Sequence, residues 1–250
     1  AKNFTGLNKT VYRHVSDLVK AYGDKIEVWE ITNEATGTGA NMGLPREQML
    51  EIIRTAAKAI RDNKPDARLL INNGFFWFGE QLSSTYLIEP GDNYSMSVPE
   101  FLDWLDESGI DIDITGQQMY DGGYTTFFED AGLGPGGGAS TFEFSMLSEI
   151  MDALGSYGRP VHITEESISS LWNESPQYKD AGWWHSKWNP QTQADFLTTL
   201  LTVLLSKPTA ESFTWWDMDD RYPFMKGGGL FDANLKPKPI FYAWRDFIAN

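Results

Sequence analysis

Five stretches rich in β-branched and aromatic residues recur along the 250-residue chain, each followed by a stretch with helical spacing. The strands read as 25–34, 67–73, 112–120, 160–167 and 211–220. The helices that follow read as 45–63, 98–109, 141–158, 191–207 and 238–249, with one more at 11–22 before the first strand. In that leading helix Val11, Val15, Leu18 and Val19 share a face and Gly23 is a stop signal. Pro45 suits a first helical turn. Strict alternation of this kind specifies an α/β protein with a parallel sheet covered by helices.

Loops after strands are long and rich in Gly, Trp and Asp, whereas loops leading into strands are short. That bias places the working surface at the carboxyl ends of the strands, as in a barrel. A doubly wound sheet is the competing architecture, but no Gly-rich phosphate turn follows the first strand. The Gly-rich run at 134–138 has neither the Lys-Ser/Thr nor the immediate helix of a phosphate loop, and reads as surface loop.

Two strands end on carboxylates, Glu34 after Asn33 and Glu165 after Thr164. In a parallel barrel both project from the same rim. Two carboxyl groups flanking a glycosidic bond are the equipment of sugar hydrolysis: one protonates the leaving oxygen, and the other attacks the anomeric carbon or activates water. A single strand-end Glu is more often a helix cap or a solvated group, so the pair carries the argument. Of the neighbouring carboxylates, Glu30 reads as a paired interior group, and Glu166 faces away from Glu165 by the period of two.

Composition narrows the function classes. A formal charge of −15 argues against a nucleic-acid partner, since no basic surface would offset the phosphates. No apolar run approaches the ~18 residues of a membrane helix. Cysteine is absent and the three histidines are scattered, so a zinc site is not expected. Ten Trp, ten Tyr and fifteen Phe are an excess that suits either a core or sugar-stacking platforms. Trp77, Trp183, Trp184 and Trp188 lie in strand-to-helix loops, where they could form sugar platforms, although loop packing is the expected role of each taken singly.

At these motifs the chain resembles glycoside hydrolase family 10, the retaining endo-β-1,4-xylanases built on a (β/α)8 barrel. "VWEITNEA" (28–35) is similar to the family's fourth-strand pattern Trp-Asp-x-x-Asn-Glu-Ala, and "HITEESI" (162–168) to its seventh-strand Ile-Thr-Glu-Leu-Asp-Ile. "LLINNG" (69–74), "GQQMY" (116–120) and "FTWWDMDDRYPF" (213–224) resemble strands five, six and eight, and "GLFDANLKPKPIFYAW" (229–244) the family's ending.

The resemblance implies that Glu34 is the general acid/base and Glu165 the nucleophile, with no metal or organic cofactor required. It implies that Asn33 bonds the sugar 2-hydroxyl, that Trp216 floors the cleavage subsite, and that Asn73, Gln117 and Tyr120 also line the substrate. Xylan of the plant cell wall is the implied partner, glucan or mannan the alternative β-glycan, and a secreted, cell-surface or periplasmic location follows from a polymeric substrate.

Three departures stand out. The sixth strand usually carries Gln-x-His, whereas Met119 holds the His position here, leaving Tyr120 to serve in its place or the site impaired as a glycan-binding barrel. Asp217 replaces a customary Gly beside Trp216, a change that can alter the cleft. The match also begins just before the family's fourth strand. That implies a chain supplying about the last five βα units, with the first three strands absent or on an N-terminal companion chain.

Overall fold

A computed structural model describes residues 3–35, 44–74, 98–122, 144–171 and 183–249. Trp77 and the Gly-rich run 134–138 lie outside the described residues. The chain divides into two compact units, Ala1–Gln117 and Gln118–Asn250.

The first unit opens with helix α1 (Phe4–Tyr22), which starts seven residues before the predicted 11–22. The signal is a cap rather than a periodicity: the Asn3 side chain accepts the Gly6 N–H at 2.9 Å, satisfying a donor the first turn leaves free. Strand β1 (Val28–Asn33) follows. Helix α2 (Arg46–Asn63) buries Met49, Ile52, Ile53, Ala56 and Ile60, the spacing of one helical face, and α1 packs on α2.

Strand β2 (Arg68–Asn73) pairs in parallel with β1, and a register shift between Glu30 and Thr32 accommodates one extra residue. Helix α3 (Val98–Glu107) ends before Gly109, whose φ of 68° is open to glycine at little cost. Strand β3 (Ile114–Gly122) then pairs with β2 through residues 114–117. Below that ladder the Asp113 carboxylate joins Arg61 at 2.7 Å and the Leu69 N–H at 2.6 Å, tying α2 to the start of the strands. Glu30, read from sequence as a paired interior group, is exposed on β1. Among the described residues β1 has a partner on its β2 side, and Glu30 lies at the bulge.

In the second unit helix α4 (Phe144–Gly155) leads to strand β4 (Val161–Ser169). Burial alternates along β4 as far as Thr164 and then stops, every residue from Glu165 to Ser169 being buried. A short antiparallel pair, β5 (Trp183–Trp184) and β6 (Ser186–Lys187), turns through His185 at a φ of 56°, in a segment the sequence reads as loop.

Helix α5 (Pro190–Leu205) is capped by the Asn189 side chain, which accepts the Gln191 and Thr192 N–H groups at 2.8 and 3.1 Å. Strand β7 (Ala210–Trp215) pairs in parallel with β4, and helix α6 (Pro239–Ala249) packs on α5. The predicted strand 211–220 is five residues too long at its end. Beyond Trp215 the Trp216 N–H still reaches the Glu166 carbonyl at 2.8 Å, but the chain then turns around the Asp217 side chain.

Candidate active site

In the first unit, β1 delivers Asn33 and Glu34 to its carboxyl end. The Glu34 N–H continues the ladder to the Asn72 carbonyl at 2.9 Å, yet Glu34 itself adopts φ 53°, a left-handed conformation uncommon outside glycine. This ends the strand abruptly and leaves the Glu34 side chain partly exposed while Ala35 is buried. Strain of this kind at a carboxylate is a mark of functional positions.

Beside Glu34, the exposed Asn33 accepts from the Asn72 Nδ2 at 2.9 Å. Asn73, the residue expected at the substrate, is buried, and its Nδ2 donates to the Gly116 carbonyl at 2.9 Å. Gln117 is likewise buried, its Nε2 donating to the Gly74 carbonyl at 2.6 Å. Asn72 is the amide that joins Asn33.

In the second unit, Glu165 is only 7% exposed and is gripped by two donors from β3. The Tyr120 hydroxyl donates to Oε2, and the Gln118 Nε2 donates to Oε1 at 3.1 Å. Two donors aimed at one carboxylate favour its ionised form. Burial, followed by the bond to Glu165, raises the Tyr120 phenol well above its ordinary value, so it stays a donor. Met119, between the two, is buried. Gln118 is a residue the sequence reading missed. Because side chains alternate along a strand, Tyr120 already implied its i−2 neighbour.

Next to this cluster, residues 216–224 enclose an open cleft of about 390 Å³. Trp216 is 51% exposed and Tyr222 95%. The Arg221 guanidinium bonds both oxygens of Asp219 at 2.9 and 2.8 Å and holds that carboxyl down at about 2, so the two charges are spent on each other. The Phe224 ring lies 5.0 Å from that of Tyr120.

Of the tryptophans considered as platforms, Trp184 stands edge-on to Phe144 and Phe196 at 5.9 and 5.2 Å, and Trp188 is buried 5.4 Å from Phe196. These two pack the end of α5. Among the described tryptophans Trp216 is the one that lines the cleft.

Residues 1–247 match glycosyl hydrolase family 10. The chain belongs to that family. Its fold is the (β/α)8 barrel, and the strand–helix alternation of this family-10 chain is that of about five of the barrel's units. A curated relative, endo-1,4-beta-xylanase 3 of Hypocrea jecorina, is 25% identical over 244 residues, which is 96% of this chain and 56% of that protein. The chain therefore spans about half the length of that relative.

Among solved structures, xylanase B from Clostridium stercorarium F9 matches with a TM-score of 0.65 and 22% identity over 97% of this chain and 67% of that one. The GH53 catalytic domain of Ignisphaera aggregans matches with a TM-score of 0.67 and 17% identity, over 97% and 65%. At such identities the likeness is one of fold.

Proposed function

We propose that this family-10 chain carries the catalytic carboxylates of a retaining endo-β-1,4-xylanase. Glu34, protonated, gives its proton to the leaving glycosidic oxygen while Glu165 attacks the anomeric carbon. Glu34 then deprotonates the water that releases the sugar from Glu165. Asn33 bonds the 2-hydroxyl of the sugar and Trp216 stacks against its ring. Retention requires the two carboxyl groups to be about 5–5.5 Å apart.

The observation that carries the reading is the Glu165 carboxylate, buried, bonded by Tyr120 and Gln118, and adjacent to a cleft with a half-exposed Trp216. A nucleophile must be ionised and fixed in direction, and two donors aimed at the carboxylate favour both. The curated relatives named as xylanases support xylan as substrate. A polymer of the plant cell wall must be met outside the cytoplasm, so the reading includes secretion or display at the cell surface or periplasm. No helix among the described residues is long and apolar enough to cross a membrane.

Incubating the full-length protein with xylan, mixed-linkage glucan and mannan, and following the anomeric protons of the products, tests it. Xylo-oligosaccharides released first as the β-anomer are the expected result. Products from glucan or mannan alone would move the substrate to the second reading, which Met119 in the usual His position and Asp217 favour. Inversion would exclude the mechanism.

The Tyr120 bond also sets a pH dependence. Removing the donor in Tyr120→Phe raises the pKa of the Glu165 carboxyl, so the ionised nucleophile is lost at a higher pH. The acid limb of kcat/KM is expected to move up by about one unit, the worth of one charge-assisted bond. An unmoved acid limb would show that Tyr120 does not support Glu165.

A further inference from the structure

Residues 216–229 form the loop whose first part lines the cleft, yet apart from one isolated bridge at Asp219 they have no strand ladder to give them shape. Buried side-chain bonds supply it. Asp217 is the central one: its Oδ1 accepts the Phe224 N–H at 2.6 Å, and its Oδ2 accepts the Met225 N–H at 3.0 Å and the Ser167 hydroxyl at 2.5 Å. Backbone donors seven and eight residues along the loop are thereby closed onto one carboxylate, and the loop is tied to β4.

The join has little room. A Cβ added at Gly228 would fall on Ser167 Oγ and lie 2.7 Å from Asp217 Oδ2. The far end of the loop is held separately, the Gly227 carbonyl accepting from Ser170 Oγ at 2.9 Å, Gln193 Nε2 at 2.9 Å and Lys238 Nζ at 2.8 Å.

Two routes lead from Asp217 to Glu165. One runs through Ser167, two residues along β4. The other runs through Phe224, whose N–H Asp217 holds and whose ring rests on Tyr120, the residue bonded to Glu165. The same carboxylate belongs to the residue after Trp216, so it fixes the aromatic wall and the carboxylate together.

We infer that Asp217 is a positioning residue for glycoside binding and cleavage: it clamps the cleft loop to the end of β4 and so sets the sugar ring on Trp216 in register with Glu165. The inference rests on Glu165 acting as nucleophile and deepens that reading. A Gly at 217 would leave the Phe224 and Met225 N–H groups and the Ser167 hydroxyl without this acceptor.

The test compares Asp217→Gly, Asp217→Asn and Ser167→Ala in the full-length protein, with an aryl β-xylobioside as substrate and circular dichroism to report folding. Asp217→Gly is expected to lose roughly 100-fold in kcat/KM, the scale of a misplacement of about 1 Å, through both a higher KM and a lower kcat. Ser167→Ala keeps the two backbone bonds and loses roughly 10-fold, mainly in kcat. Asp217→Asn, which sets an NH₂ against one N–H, falls between them.

Fluorine NMR of 5-fluorotryptophan protein, with the Trp216 resonance assigned by its loss in Trp216→Phe, gives a second readout. The resonance is expected to be single in the parent and split or broadened in Asp217→Gly and Ser167→Ala. Folded variants with parental kcat, KM and Trp216 resonance would overturn the clamp, even if their melting temperatures fell. If Asp217→Gly does not fold, the other two variants decide. A parent protein that turns over no glycoside would refute the hydrolase reading, while the fluorine resonances would still decide the clamp.

Discussion

Glu165→Gln is expected to fold normally and to lose turnover by roughly four orders of magnitude or more, the scale seen when a covalent nucleophile is removed. The substitution keeps the volume and leaves an oxygen that can accept from Tyr120 or Gln118, so the buried cluster persists. What it removes is the negative charge that must attack the anomeric carbon. Steady-state rates on an aryl β-xylobioside, read beside the melting temperature, separate loss of chemistry from loss of fold. An inactive variant that still binds xylo-oligosaccharide supports the assignment. Retention of even a tenth of the parental rate would move the nucleophile elsewhere, with buried Glu166 the first candidate.

The second large effect belongs to Glu34. Its replacement by Ala is expected to cost about 10²–10⁴-fold on natural xylan, where the leaving sugar needs a proton. On a dinitrophenyl glycoside, whose leaving group needs none, formation of the glycosyl-enzyme should be nearly normal and its hydrolysis slow. The signature is a burst of dinitrophenolate followed by slow turnover, with azide, which needs no general base, restoring the rate and giving a β-glycosyl azide. A variant equally slow on both substrates and deaf to azide would show that Glu34 is not the acid/base. Asn33→Ala should not mimic the burst, since it leaves the proton donor in place.

How far the sequence carried these assignments can be traced residue by residue. The strands and helices were legible because β-branched runs and helical faces have distinct periods. Glu34 stood out because it closes such a run, whereas Glu165, read as a strand end, lies inside β4, which continues to Ser169. Side-chain parity was less legible. Asn72-Asn73 and Gln117-Gln118 are pairs of identical neighbours, so residue type alone does not tell which of each pair faces which side, and only a landmark two residues along, such as Tyr120 for Gln118, gives the parity. The sequence reading placed Asn73 and Gln117 at the substrate and gave no role to Asn72 and Gln118, the amides that bond Asn33 and Glu165.

The end of β7 was misjudged for a different reason. Trp215-Trp216 followed by Met218 continues to look like strand, while the residue that breaks it, Asp217, acts through tertiary bonds to Phe224, Met225 and Ser167. No local propensity encodes those partners. The same holds for α1, where Asn3 caps a first turn that contains the helix-poor Gly6. Trp184 and Trp188 were legible only as loop aromatics, because their packing on Phe196 depends on the short β5–β6 pair that presents them.

The account stands or falls on Glu165 forming a bond to sugar. The most direct measurement is trapping with a 2-deoxy-2-fluoro-β-xylobioside carrying a good leaving group, followed by mass spectrometry of the intact protein and of its peptides. The account predicts one added fluoroxylobiosyl group, carried by the peptide containing Glu165 and released slowly as activity returns. A label on any other carboxylate, or time-dependent hydrolysis with no label at all, would contradict it.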